Sequence, residues 1–216
     1  MKHDYKKELK AYYNPSSKEI SEVLMPTMNY LMIDGKGSPG QCQEWTDAIQ
    51  TLYPIAYTIK FSIKKSTGFD FGVMPLEGLW WADDMNDFTN GIRENWLWTL
   101  LIMQPKIVTR DIFEKARAEV KAKKKMESVG KVRFEALREG NCVQVMHIGP
   151  FSEEGPTILK LHQLIADKRG SLNGKTHKHH EIYLNDVRKV SPAKMKTILR
   201  QPFESSQGQR SKQAQN

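Results

Sequence analysis

A chain of 216 residues has room for one domain or two small lobes with a real core, and its 39% hydrophobic and 27% charged residues are ordinary globular usage. No run approaches the roughly 18 apolar residues of a membrane span, and the start, MKHDYKKELK, lacks the apolar stretch of a signal peptide. Cys42 and Cys142 are the only cysteines; two so far apart argue against a disulfide framework or a cysteine-rich zinc site and fit a reducing, cytoplasmic setting.

Residues 1–17 are polar and are expected to be frayed. Ser16-Ser17-Lys18-Glu19 has the form of a capping box, but Pro26 follows too soon for a helix. Residues 19–24 and 29–34 read instead as a strand pair around Met25-Pro26-Thr27. Ser38, Pro39 and Gln41 form a helix start, and Cys42, Trp45, Ile49, Leu52, Tyr53 and Ala56 recur at helical spacing, with Pro54 as a kink or break. Residues 70–81 and 95–103 read as strands, the second alternating Trp96, Trp98, Leu100 and Ile102. Thr109 opens a helix with apolar Ile112, Phe113, Ala116 and Val120.

The second half restarts with a hairpin, residues 131–137 and 142–148, around Arg138-Glu139-Gly140-Asn141. A helix follows, with Ser152 as N-cap, Glu153 and Glu154 near its positive end and Gly170 just past its end. Residues 179–187 and 194–200 read as the last strands. Residues 204–216, rich in Gln and Ser, are expected to be disordered. Met32-Ile33-Asp34-Gly35-Lys36-Gly37-Ser38 lines up with Met146-His147-Ile148-Gly149-Pro150-Phe151-Ser152 in a Met-x-x-Gly-x-x-Ser frame, so the halves read as copies. The expected plan is α+β with a mainly antiparallel sheet. It comprises a flexible segment 1–17, a module 18–107, a linking helix 108–130, a module 131–203 and the tail, the modules forming one domain with a ligand cleft between them.

Chemistry concentrates in a few places. On a regular strand Glu77 shares a face with Val73, Leu79 and Trp81, where a charged carboxylate is costly without a partner. The sequence reads as a pocket glutamate, the alternative being an edge residue beside Gly78. In His179-His180-Glu181-Ile182-Tyr183-Leu184, Ile182 and Leu184 point to the core. His179, Glu181 and Tyr183 then line either a solvent face or a cleft floor. Trp80, Trp81, Trp96 and Trp98 are either core or an aromatic wall for flat rings and organic cations. Met103 and His147 are further lining candidates. His177, His179 and His180 have no acidic or cysteine partner at ligand spacing, so neither a metal nor a cofactor is expected. No P-loop, dinucleotide fingerprint or Gly-x-Ser-x-Gly frame occurs. The net charge of +8 gathers partly at Lys121, Lys123, Lys124 and Lys125, which complement a helix C-terminus. With no helix-turn-helix or RNA-recognition signature they read as a solvated face, and sequence-specific DNA binding is not expected.

These residues resemble the GyrI-like small-molecule-binding family, and within it a stand-alone branch. The likeness rests on residues 28–37, 74–81, 96–105, 143–151 and 180–202, most specifically PLEGLWW, WLWTLLIMQP and HHEIYLNDVRKVSP, and runs from about residue 18 to 203. It implies two strand–helix–strand–strand modules related by a pseudo-twofold axis. Drug-sensing regulators carry a similar domain after a DNA-binding segment, for which this chain has no room. Part of the stand-alone branch comprises cyclopropanoid cyclopropyl hydrolases, which open the strained ring of DNA-alkylating compounds with water. By motif, the resemblance assigns Glu77, Glu181 and Tyr183 to catalysis and Trp81 and Trp98 to ring contact. The expected partner is a hydrophobic aromatic small molecule, no membrane is involved, and no oligomeric state is set. Capture without turnover, as sensor or sequestering module, is the alternative reading; a nucleic-acid or protein module using the lysine cluster is a third.

Overall fold

The structure, a computed structural model, describes residues 2–205. In chain order its strands and helices are β1 (Lys2–His3), α1 (Tyr5–Glu8), α2 (Lys10–Tyr13), β2 (Ser21–Met25), β3 (Met28–Lys36) and α3 (Gln43–Thr67). Then come β4 (Asp70–Phe71), β5 (Leu76–Trp81), α4 (Asn86–Thr89), β6 (Leu97–Gln104), α5 (Arg110–Lys124) and α6 (Ser128–Lys131). The last are β7 (Arg133–Leu137), β8 (Gly140–Ile148), α7 (Gly155–Asp167), β9 (His179–Tyr183) and β10 (Lys196–Pro202). The fold is α+β with mainly antiparallel pairing.

Two compact units divide the described residues: 2–8 with 27–137, and 9–26 with 138–205. The first has an antiparallel sheet in the order β5-β6-β3-β7. Against it packs α3, whose Ala48, Leu52, Ile55, Ala56, Ile59 and Ile63 form one buried seam. α5 lies against α3, starting where Thr109 Oγ1 accepts the Ile112 N–H at 3.3 Å. Pro54 neither breaks nor ends α3: the seam continues on both sides and outweighs one missing hydrogen bond. The helix begins at Gln43, because Ser38 closes a turn onto the Gln41 and Cys42 N–H groups instead of capping. Pro75 lacks the ladder donor, so the expected strand 70–81 divides into β4 and β5.

The second unit has an antiparallel sheet in the order β2-β8-β10-β9. α7 covers one face, where Val143, Val145, Leu161, Ile165, Leu199 and Phe203 form the core. Ser152 is not its cap: residues Phe151–Glu153 make a 3-10 turn and α7 starts after Glu154. Arg169, not Gly170, takes the left-handed conformation after the helix. The Gly170 N–H then reaches back to the Ile165 carbonyl at 2.9 Å.

Each sheet has the same three-strand core, β5-β6-β3 or β9-β10-β8, with a helix between its first and second strands in sequence. A glycine with positive φ follows the first strand in both, Gly37 at 101° and Gly149 at 146°, so Gly37, rather than Gly35, is the counterpart of Gly149. The fourth strands are exchanged. β2 is separated from β3 only by Pro26-Thr27 but pairs with β8; β7 is separated from β8 only by Arg138-Glu139 but pairs with β3. Neither the expected strand pair nor the expected hairpin forms. Alternation marks a half-buried strand but leaves its partner to tertiary burial, and Glu139 is drawn into the second unit by buried partners.

The segment expected to be frayed carries β1, α1 and α2. β1 pairs in parallel with β4, and the Tyr13 side chain is buried. Ser16 Oγ accepts the N–H groups of Lys18 and Glu19 in a turn, so the apparent capping box starts no helix. Glu204 bridges Ser171 rather than joining a tail; residues 206–216 of the expected tail lie outside the described residues.

Candidate functional site

In the second unit β9 presents Glu181 opposite Leu199 and Tyr183 opposite Thr197 on β10. One strand further across, Leu199 faces Val145 and Thr197 faces His147 on β8. These six residues share a face, the one roofed by α7, because Val145 and Leu199 pack on Leu161 and Ile165. Glu181 therefore lies on the helix-bearing face of the sheet, one strand beyond Leu199 of the apolar core. The Ile182 side meets the core, and the side carrying His179, Glu181 and Tyr183 is partly buried. The Ile182 side also carries His180, Arg200 and Gln144, each with no exposed surface.

On the helix-bearing face the groups are tightly matched. The Tyr183 hydroxyl donates to Glu181 Oε2 at 2.7 Å, and Phe151 meets the Tyr183 ring edge-on with centroids 5.7 Å apart. His179 Nε2 stands 3.6 Å from Glu181 Oε1, outside hydrogen-bond reach, while its Nδ1 meets Gln201 Oε1 at 3.3 Å. Burial pulls the His179 pKa down to about 4, so the ring is neutral near pH 7. Glu154, just before α7, is buried, and its Oε1 has no hydrogen-bond partner. Burial first, and the Glu181 charge second, push its pKa up to about 9, against a hydrogen bond with Thr197 that lowers it. The two carboxyls interact, and burial together with the Glu181 charge holds the Glu154 carboxyl well above the usual carboxylate range.

Behind the sheet the charge logic is reversed. Glu139 Oε1 meets His180 Nδ1 at 2.8 Å and Arg200 Nη1 donates to Glu139 Oε2 at 3.3 Å. Burial alone would raise the Glu139 carboxyl, but His180 and Arg200 hold it down at about 2. Arg200 also donates to Gln144 Oε1 at 3.1 Å and to the Tyr12 carbonyl at 2.7 Å, and Gln144 donates to the Ala11 carbonyl at 2.7 Å. This network ties α2 to the sheet.

In the first unit Glu77 is fully buried opposite Leu101. Alternation puts Leu79, Trp81 and Met103 on its side of the sheet and Trp80 and Trp98 on the other. There Trp80 and Trp98 meet Trp45 of α3, stacked at 5.5 Å and edge-on at 5.3 Å. The Trp98 ring lies across Gly35, where a Cβ would fall 2.0 Å from Cη2. Trp96 lies outside the strand, stacked on Phe88 at 4.7 Å, with the Arg93 guanidinium 5.5 Å from its centroid. The four tryptophans do not form one wall.

Sequence reading named Glu181, Tyr183, His179 and His147 and missed the roles of Glu154, Phe151 and Thr197. Glu154 looked like a helix-start acid; only the 3-10 turn before α7 turns it inward. Of the expected basic cluster, Lys121, Lys123 and Lys124 end α5, and Lys123 pairs with Glu119 at 2.5 Å. Among the described residues no group of three His, Cys, Asp or Glu side chains is placed to hold a metal ion, and no helix is long and apolar enough to cross a membrane. Cys42 and Cys142 are both free thiols.

Residues 18–202 match the family described as the GyrI-like small molecule binding domain. No curated protein matches the chain. Among solved structures, an uncharacterized conserved protein from Listeria innocua is 42% identical with a TM-score of 0.84, over 93% of this chain and 99% of that one. A structure named as a hydrolase from the same organism is 41% identical with a TM-score of 0.80, again over 93% and 99%. The C-terminal domain of EcmrR shares the fold at 14% identity and a TM-score of 0.54, over 87% of this chain and 98% of that one.

Proposed function

The chain belongs to the GyrI-like small-molecule-binding family, and from that premise we propose that it takes up flat aromatic compounds, cations included, and adds water to the strained ring of cyclopropanoid genotoxins. The observation that carries this reading is the pair Glu154 and Glu181: burial and the Glu181 charge raise the Glu154 pKa, and the Tyr183 hydroxyl donates to Glu181 at 2.7 Å. A site holding an acid and a base at the same pH suits proton transfer at both ends of one reaction.

In this mechanism Glu181, oriented by Tyr183, accepts a proton from a water molecule while the water oxygen forms a bond to the ring methylene. The cyclopropane C–C bond breaks, and its electron pair moves to the conjugated carbonyl oxygen of the drug. Glu154 donates its proton to that oxygen, giving a phenol and an alcohol. Glu181 ends protonated and Glu154 ionised, and one proton passed back resets the pair. Phe151 and Tyr183 offer ring contacts to the drug. The family likeness also assigns Glu77 to catalysis and Trp81 to ring contact, whereas Trp98, fully buried against Trp45 and Gly35 on the other face of its sheet, supports the fold instead of touching the drug. The similarity to a protein named as a hydrolase at 41% identity supports an enzymatic reading, and the free thiols suit action in the cytoplasm.

The test is a time course with a duocarmycin-type cyclopropane in excess over protein, read by mass spectrometry. Many equivalents of water-added product are expected. Glu181→Gln and Glu154→Gln should each slow it by about 10²- to 10⁴-fold, and Glu77→Gln forms a separate arm. Consumption that stops at one equivalent, or full turnover in both variants of the pair, overturns hydrolysis by this pair. A second reading, capture without chemistry, is favoured by the aromatic edge beside the Glu181 carboxylate, and tight binding of intact drug would establish it.

A further inference from the structure

β2 covers only part of the outer edge of β8. The last pair is Ser21 with Gln144. The chain before it swings away and returns only at Ser16, whose carbonyl accepts the Met146 N–H at 2.9 Å. Residues 17–20, the end of β8 and α7 frame the resulting gap, a groove of about 640 Å³, within the range of small-molecule sites.

The lining divides by chemistry. Ile20, Val145 and Leu164 give an apolar wall continuous with the core of the unit. Lys18 and Lys160 stand at the rim, exposed, and neither ammonium pairs with a carboxylate among the described residues. Glu19 is the single acid in the lining. His147 also lines the groove; its side chain is more than nine-tenths buried and its Nε2 has no hydrogen-bond partner. Its Nδ1 lies 3.5 Å from Thr157 Oγ1 on α7, and its Nε2 is turned to the Gly149 turn, so the imidazole closes the inner end of the groove with its ring. The groove belongs to the β2 side of the sheet, whereas Glu181 stands on β9, two strands away from β8, roughly 10 Å at about 4.8 Å per strand. It is not the carboxyl site.

We propose that this groove is a second binding site, for an amphipathic organic monoanion whose apolar body lies on Ile20, Val145 and Leu164 and whose acidic head sits between Lys18, Lys160 and His147. The two lysines favour an anion over the organic cations suited to Glu181, so the two sites of this unit select opposite charges. His147 lies directly across from Thr197, which bonds Glu154, so an occupant that engages His147 lies one residue from the carboxyl pair.

The experiment uses decanoate as probe on the full chain, with binding followed by titration calorimetry and by the imidazole NMR signals of His147. Saturable binding that moves the His147 signals is expected, with no binding of decyltrimethylammonium at the groove. Lys18→Glu combined with Lys160→Glu should weaken decanoate by about tenfold or more. Ser17→Trp, which fills the mouth without entering the core, should do the same, and Glu181→Gln should leave the affinity unchanged. No heat and no His147 shift up to millimolar decanoate overturns the proposal. So does binding that survives both groove variants, or that is lost in Glu181→Gln, because the anion would then sit elsewhere. Thermal unfolding of each variant confirms that it is folded. The readings are independent of drug turnover, so failure here leaves the hydrolytic proposal standing, and the reverse.

Discussion

The two units are built on one strand plan and filled in opposite ways. The first fills the space between sheet and helix with rings: Trp45, Trp80 and Trp98 interlock across α3, and Gly35 is bare so that the Trp98 ring can lie on it. The second puts titratable groups at the matching places, Tyr183 and Glu181 on the helix-bearing face and Glu139, His180 and Arg200 behind the sheet. In the first unit these rings contribute buried area, a source of stability indifferent to pH. The second accepts the cost of buried charge and obtains chemistry, since only low-dielectric surroundings separate two carboxyls into an acid and a base. One plan therefore serves as scaffold in one half and as reactive surface in the other.

That contrast is open to attack at several points. The strongest is Trp98→Ala, which should cost about 3–5 kcal/mol in denaturant unfolding with no dependence on pH; a loss below about 1 kcal/mol would mean that the rings are not the support. Next is Arg200→Met, expected to cost about 3 kcal/mol because Glu139 is left buried with one partner instead of two. If Arg200→Met instead proved neutral at pH 7, the ion network would be dispensable.

A smaller effect separates the units by pH. The Glu154 pKa is raised in the folded state, so its contribution is complete below 4.5 and is lost as pH rises towards about 9. The His179 pKa is depressed from 6.5 to about 4 and the Glu139 pKa from 4.5 to about 2, so their contributions are lost as pH falls through those windows. The opposing slopes cancel between 4.5 and 6.5. Stability should show a plateau there and decline on both sides, at up to about 1.4 kcal/mol per pH unit on the alkaline side. Glu154→Gln should flatten the alkaline decline and leave the acid one; an unchanged alkaline limb would remove Glu154 from the account. The smallest effect is expected of Tyr183→Phe. Losing one hydrogen bond to Glu181 should cost about 1 kcal/mol, read as a several-fold change in affinity for an aromatic cation in calorimetry.

Much of this was legible in the chain. Periodicity marked α3 and α5, and alternation marked β6, β8 and β9, because burial on one face imposes those spacings. Glu181 and Tyr183 were visible as a polar pair two residues apart. Glu154 was not, since an acid before a helix is ordinary and its inward turn depends on the 3-10 segment from Phe151. Pairing was the other failure. β2 and β7 were found as strands but given to the wrong neighbours, because a short link such as Pro26-Thr27 reads the same whether it closes a hairpin or carries the chain to another sheet.

The exchange of those strands has a consequence for how the gene can be divided. A cut after Leu137 leaves the amino-terminal piece with all of its own sheet and also with β2, which belongs to the other. The carboxy-terminal piece is left with the outer edge of β8 unpaired, an invitation to self-association, and without the carbonyls of Ala11 and Tyr12 that satisfy Gln144 and Arg200. Neither half is a natural building block. Co-expressed, the two pieces should recover each other, with residues 9–26 as the tag that one fragment carries for its partner, and the chain is thereby suited to conversion into a split reporter.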